Sequence, residues 1–201
     1  MLIEEGTIRI LIDPGAFSTT QNEVKNIDVV LITHEHFDHY YPDSLKKVLF
    51  NNPQAKIYTN ASVFNLLEKE DIKAEVLAGG ESVTEKGILI EGIGNDHGQF
   101  HSTIPPVRNT GYRIASRFFY SGDSLTRPGK PVDILALPVA GPWAKMSEII
   151  DFALAIKPKI TFPVHEEILK DPNLGFRWPP QVLEPAGIPF QILELGKEYE
   201  F

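Results

Sequence analysis

The apolar positions fall into short runs separated by turn residues, and their spacing switches between two periods. Runs 7–12 (TIRILI), 56–59, 75–77 and 88–93 read as strands, the last two placed around a turn. Run 27–32 (IDVVLI) is almost continuously apolar, as expected of a strand buried on both faces. Residues 111–115 and 117–121 read as a hairpin, 134–138 as a buried strand, 159–164 as another, and 190–195 as a last one. Helical spacing appears at 42–50, where Leu45, Val48 and Leu49 share a face, and at 61–69, with Asn60 placed as N-cap. Residues 147–156 put Ile149, Ile150, Ala153 and Leu154 inward and are stopped by Pro158; 179–186 is a further helix. Hairpins and βαβ-like units are thus mixed. That predicts an α+β fold of two mixed sheets with helices outside. No linker or low-complexity tract divides residues 1–201, so a single domain is expected.

Composition narrows the chemistry. Of 201 residues, 42% are hydrophobic and 23% charged, enough apolar side chain for a sizeable core. The formal charge of −8 disfavours non-specific binding to a nucleic-acid backbone. No apolar run is long enough for a membrane span. Glu4 and Glu5 stand where a secretory signal would carry positive charge, which reads as a cytoplasmic chain. Cysteine is absent, so neither a disulfide nor a thiolate ligand or nucleophile is available. No surface pattern indicates an oligomeric state.

The six histidines change the picture. Thr33-His34-Glu35-His36-Phe37-Asp38-His39 packs three imidazoles and two carboxylates just past strand 27–32. Imidazole nitrogen and carboxylate oxygen are the usual ligands of borderline divalent metals. A tight loop can aim His34 and His36 one way and Asp38 and His39 another, which would serve two adjacent metals. His97 and His101 follow strand 88–93, Asp123 follows 117–121, His165 follows 159–164 and Asp13 follows 7–12. Side chains at the ends of different strands can converge on one sheet edge. Asp13-Pro14-Gly15 also reads as a type II turn, so Asp13 serves either that turn or the orientation of a ligand. His97 lies nearer its strand end than His101 and is preferred as a ligand. His101 is then left to hydrogen-bond substrate or a ligand, or to shuttle a proton. Tyr40, Tyr41 and Trp143 are candidate pocket aromatics, although packing is the commoner role. Arg108 is a candidate anion contact, although an exposed arginine is commoner.

The run His34-x-His36-x-Asp38-His39, followed in order by His97, Asp123 and His165 and preceded by Asp13, resembles the metallo-β-lactamase superfamily over nearly the whole chain. The resemblance implies a four-layer αββα sandwich with a two-metal site at one edge of its sheets. It implies that His34, His36 and His97 hold one metal, that Asp38, His39 and His165 hold the other, and that Asp123 bridges them. Asp13 would orient the loop. The chain departs from the lactamases themselves in lacking a cysteine ligand. Segments GNDHGQFH and GYRIASRFFYSGDS are most similar to small hydrolases near the ascorbate-6-phosphate lactonase and N-acyl-phosphatidylethanolamine phospholipase branch.

The implied activity is hydrolysis of a small ester-like substrate (a lactone, amide, thioester or phosphodiester) by hydroxide bridging two divalent cations, zinc first and manganese or iron next. Asp38 would be both ligand and proton acceptor, and His101 a proton donor to the leaving group. A di-iron redox protein on the same scaffold is disfavoured by the retention of His36 and by the absence of length for a flavin domain. The other alternative is a metal-binding scaffold or sensor without turnover.

Overall fold

The computed structural model describes residues 1–201. Five strands form the first sheet in sequence order: β1 (Leu2–Glu5), β2 (Ile8–Ile12), β3 (Val29–Ile32), β4 (Lys56–Thr59) and β5 (Glu75–Val76). Only β1 is antiparallel to its neighbour. The second sheet contains β6 (Ser82–Glu85), β7 (Ile88–Ile93), β8 (Gly111–Ile114), β9 (Phe118–Tyr120), β10 (Ile134–Pro138) and β11 (Ile160–Val164). Its order is β11-β10-β9-β8-β7-β6, antiparallel from β6 to β9 and parallel from β9 to β11.

Strand periodicity explains the layering. In β2, Ile8, Ile10 and Ile12 face the second sheet, where they meet Ile90, Tyr112, Ile114, Phe118 and Ala136. Leu11 of β2, with Val30 and Ile32 of β3, faces the other way, onto Leu45 and Val48 of α1 (Pro42–Asn51) and Val63 and Leu67 of α2 (Ala61–Lys69). In β10, Ile134 and Ala136 look inward, whereas Leu135 and Leu137 pack under α3 (Met146–Ile156) and α5 (Pro179–Leu183). Strands buried on both faces therefore generate the α/β/β/α stack, and the fold is α+β with two mixed sheets flanked by helices.

Several local readings need correction. Residues 75–77 and 88–93 do not pair around a turn: β5 lies in the first sheet and β7 in the second. The hairpin partner of β7 is β6, through Lys86 and Gly87 with φ of 47° and 82°. This is the two-residue turn with both φ positive that matches strand twist. The half-exposed β6 has Val83 as its one apolar residue and so leaves little apolar signal, and the edge strand β1 is equally half-exposed. Residues 190–195 do not form a strand. The pairing stops after Thr161 N–H donates to Pro189 and Gln191 N–H to Thr161, because the next donor required from β11 would come from Pro163, which has none. The helix at 179–186 ends earlier, at Leu183, and α4 (Asn173–Phe176) precedes it.

β2, β3, β7, β9 and β11 all end at the same edge of the stack, and the two sheets are tied together there. Thr110 N–H donates to Thr33 O over 2.9 Å and Tyr112 Oη to Ile32 O over 2.9 Å. Asn60 caps α2 through Ser62 and Val63 N–H, and its amide also donates to Thr33 O over 2.8 Å.

Candidate metal centre

Two strand-end residues take left-handed backbone conformations, Asp13 with φ 51° and His165 with φ 70°. Such conformations are uncommon outside glycine and persist where surrounding contacts hold them. In the Asp-Pro-Gly segment the positive φ thus falls on Asp13, not on Gly15, so the expected type II turn does not form. Gly15 is required for a different reason. A Cβ there would stand 1.7 Å from the Asp38 carbonyl oxygen, so the ligand loop lies directly on its backbone.

Asp13 orients that loop. Its Oδ1 accepts from Thr33 N–H, and its Oδ2 accepts from Thr33 Oγ1 and faces His39 Nδ1, each over 2.7 Å. Thr33 Oγ1, having given its proton to Asp13, accepts from His34 Nδ1 over 3.0 Å. His97 Nδ1 meets Gly98 O at 2.7 Å and His165 Nδ1 meets Ala140 O at 2.9 Å. All four rings therefore hold Nδ1 against an oxygen away from the site and turn Nε2 towards it.

The donor atoms gather in two groups. One atom from each of His34, His36, His97 and Asp123 lies within 4.8 Å of the others, and the same holds for Asp38, His39 and His165. Asp123 touches both groups: Oδ1 is 3.3 Å from His39 Nε2, and Oδ2 is 3.4 Å from His97 Nε2 and 3.2 Å from His165 Nε2. Of the two histidines after β7, His97 is buried within the first group. His101 is exposed, with Nδ1 against Thr103 at 2.8 Å, outside both groups.

The protonation pattern follows from the crowding. Burial, then the charge of His39, drives His34 well below the usual histidine value, and burial also lowers His36. For His39 burial again opposes the charge, but Asp13 and Asp123 outweigh it and push the ring up to about 10. His165 is pushed up to about 9 because Asp123 and Asp38 outweigh its burial. Burial works against the Asp123 carboxylate, yet the close imidazoles of His165, His39 and His97 outweigh it and hold the group well below its usual range.

This donor set fits divalent cations. His97 Nε2 and Asp123 Oδ1 are buried without a hydrogen-bond partner. His34 Nε2 faces His36 Nδ1 at 3.0 Å and His39 Nε2 faces His165 Nε2 at 3.1 Å. Two ring nitrogens at that distance require a proton or a cation between them.

Of the remaining sequence candidates, Trp143 reaches the donor groups and the others lie away from them. Tyr40 is buried among α1 and α2 residues, and Tyr41 is the N-cap residue of α1. Arg108 is exposed and paired with Asp96 at 2.9 Å. Trp143 is buried, and its Nε1–H donates to Asp123 Oδ2 over 2.9 Å. Sequence reasoning missed Asn109, which accepts from Asp123 N–H over 3.1 Å and donates to Ser121 O over 2.8 Å, so it fixes the loop after β9. It also missed Phe100, whose ring stacks on His97 at 5.0 Å and lies 6.1 Å from His36 while 41% exposed. Nothing in the spacing marks Asn109; Phe100 stood inside the His97–His101 segment as an unremarked aromatic.

The chain and its fold are similar to known proteins. Residues 1–165 match the family described as beta-lactamase superfamily domain. Protein Rv0786c of Mycobacterium tuberculosis is 31% identical over 96% of this chain and 92% of its own length. A UPF0173 metal-dependent hydrolase of Aeropyrum pernix is 32% identical over 99% of this chain and 93% of its own. Among solved structures, a candidate metal-dependent hydrolase of Parabacteroides distasonis superposes with a TM-score of 0.78 at 26% identity, covering 96% of this chain and 88% of that one.

Proposed function

The chain belongs to the metallo-β-lactamase superfamily, among its metal-dependent hydrolases, and on that premise we propose that it is a dinuclear enzyme acting on a small ester-like substrate with an apolar group. The observation that carries this reading is the pair of donor groups joined by Asp123, with His97 Nε2 and Asp123 Oδ1 buried and unpartnered.

His34, His36 and His97 are assigned to one cation, Asp38, His39 and His165 to the second, and Asp123 to both. Zinc suits the histidine-rich set first, manganese or iron next. Bound divalent cations would supply an acidified water at neutral pH and polarise a carbonyl or phosphoryl oxygen. The chain's own residues do the rest. The Asp38 carboxyl is held below its usual value because His165 and the charge of His39 outweigh its burial, so it is ionised at neutral pH and can accept a proton. Asp13 and Thr33 hold the Nδ1 atoms of His39 and His34, so each ring turns its Nε2 towards the site. No cysteine nucleophile exists, which suits attack by water.

Phe100 covers one face of His97, and Phe37, between His36 and Asp38 in sequence, packs edge-on to Phe17 at 5.2 Å with both rings about half exposed. These rings favour an apolar acyl or aryl group beside the reacting bond.

The test is metal analysis of the purified protein with turnover of a panel of aryl and alkyl esters, lactones and phosphodiesters. Two cations per chain and activity abolished by chelator and restored by metal are expected. Full metal loading without turnover on the whole panel would favour the scaffold or sensor alternative instead.

A further inference from the structure

Trp143 stands in the loop between β10 and α3. It is not a wall of an open pocket but part of a packed unit beneath the metal centre. A Cβ on Gly98 would lie 2.4 Å from the ring atom Cε3, and one on Gly141 would lie 2.4 Å from Nε1, so the indole fills a slot that two glycines leave open. Its ring meets His97 edge-on, with centroids 5.8 Å apart. Gly98 N–H donates to Asp123 O over 2.7 Å, and Gly98 O takes the His97 Nδ1 proton. The same loop presents Ala140 O to His165 Nδ1. One short segment after β10 therefore braces a residue from each donor group and the carboxylate between them.

The polarity of the contact matters. An indole N–H can only donate, so it occupies a lone pair of Asp123 Oδ2 and leaves Oδ1 alone. Oδ1 is the oxygen that is buried with no hydrogen-bond partner. We propose, building on the metal-centre reading above, that Trp143 is a positioning residue: by gripping Oδ2 it keeps the Asp123 carboxylate from rotating and holds it in its orientation between the two donor groups. A ligand carboxylate without such a partner would swing about its last torsion, and both cations would lose affinity together.

The experiment compares wild type with Trp143→Phe, using Co²⁺ as the probe. Phenylalanine keeps an aromatic ring in the slot and removes the N–H. The variant is expected to bind Co²⁺ at least about 10-fold more weakly in chelator competition, with an altered visible ligand-field spectrum. Its metal-free form should still melt cooperatively. A merely structural Trp143 would shift the melting temperature and leave spectrum and affinity unchanged, and that result overturns the proposal. Should the variant not fold, the wild type answers by NMR, because it has only two tryptophans and Trp178 is 49% exposed. The Trp143 indole N–H resonance should exchange slowly and move on addition of Zn²⁺, while that of Trp178 stays in place. A Trp143 signal that exchanges as fast as that of Trp178, or that ignores saturating Zn²⁺, overturns the proposal. A wild type that takes up neither Co²⁺ nor Zn²⁺ overturns the metal-centre reading and this inference with it. That failure is distinct from equal binding by wild type and variant.

Discussion

Asp13 Oδ2 and His39 Nδ1, 26 residues apart in the chain, meet at 2.7 Å at the seam where β2 and β3 end. The same oxygen takes the Thr33 hydroxyl proton, so one carboxylate sets the tautomers of two rings, His39 directly and His34 through Thr33. Asn at position 13 would turn an N–H₂ towards one of these donors. Asp13→Asn is therefore expected to lower metal affinity about 10- to 100-fold, measured by chelator competition, with a smaller effect on the melting temperature of the metal-free protein. Unchanged affinity would reduce Asp13 to a loop anchor.

His97 and His101 separate ligand from bystander. His97→Ala should lose metal and activity together, because its Nε2 is one of the buried unpartnered atoms. His101→Ala should keep full metal content, since its ring is exposed and held by Thr103. A fall in kcat at unchanged metal content would give His101 the proton-donor role; an unchanged kcat would remove it. Elemental analysis beside a steady-state assay reads both variants.

Phe100 is half exposed over His97. If it contacts an apolar substrate group, Phe100→Ala should raise KM for aryl or long-chain esters about 5-fold, equivalent to about 1 kcal/mol, and leave kcat unchanged. A loss confined to kcat would assign the ring to the support of His97.

Away from the site, Glu91 is buried between Arg113 and Lys130, with Lys130 Nζ at 2.5 Å and Arg113 also donating to Ser116 O and Pro131 O. Burial pushes the Glu91 carboxyl up, but Lys130 and Arg113 outweigh it and hold it below its usual range. A depressed carboxylate stabilises the fold fully above its unfolded value, about 4.3, and that contribution disappears as pH falls through the folded value. Glu91→Gln should cost about 3 kcal/mol at pH 7 in urea denaturation, and the gap to wild type should narrow below about pH 4. A constant gap across that range would contradict the ion-pair account.

The parts of the fold legible in sequence are those whose burial leaves an apolar trace. Residues 27–32 and 134–138 are apolar because both of their faces are covered, one by the opposite sheet and one by helices. β1 and β6 are edge strands with one exposed face and polar composition, so periodicity passes over them. Residues 190–195 fail as a strand for a reason located 30 residues away, in Pro163, which no pattern within the segment can report. At the site, residue type and strand-end position draw attention to Thr33–His39, His97, Asp123 and His165, because metal ligands come from few side chains. The hydrogen-bond partners that orient them are backbone carbonyls, a threonine, an asparagine and an indole. Such groups occur everywhere in a sequence and acquire meaning only when the loops meet. Trp143 illustrates this: it draws attention as an aromatic, yet its role runs through a single N–H.

Each donor group draws on both sheets: His34 and His36 with His97 and Asp123, Asp38 and His39 with His165. A cation in either position would rivet the two halves of the sandwich, in a chain with no cysteine to do so covalently. Cellular lifetime would then follow metal supply: starvation would loosen the rivets and open the seam to proteases, and replete cells would accumulate the folded enzyme.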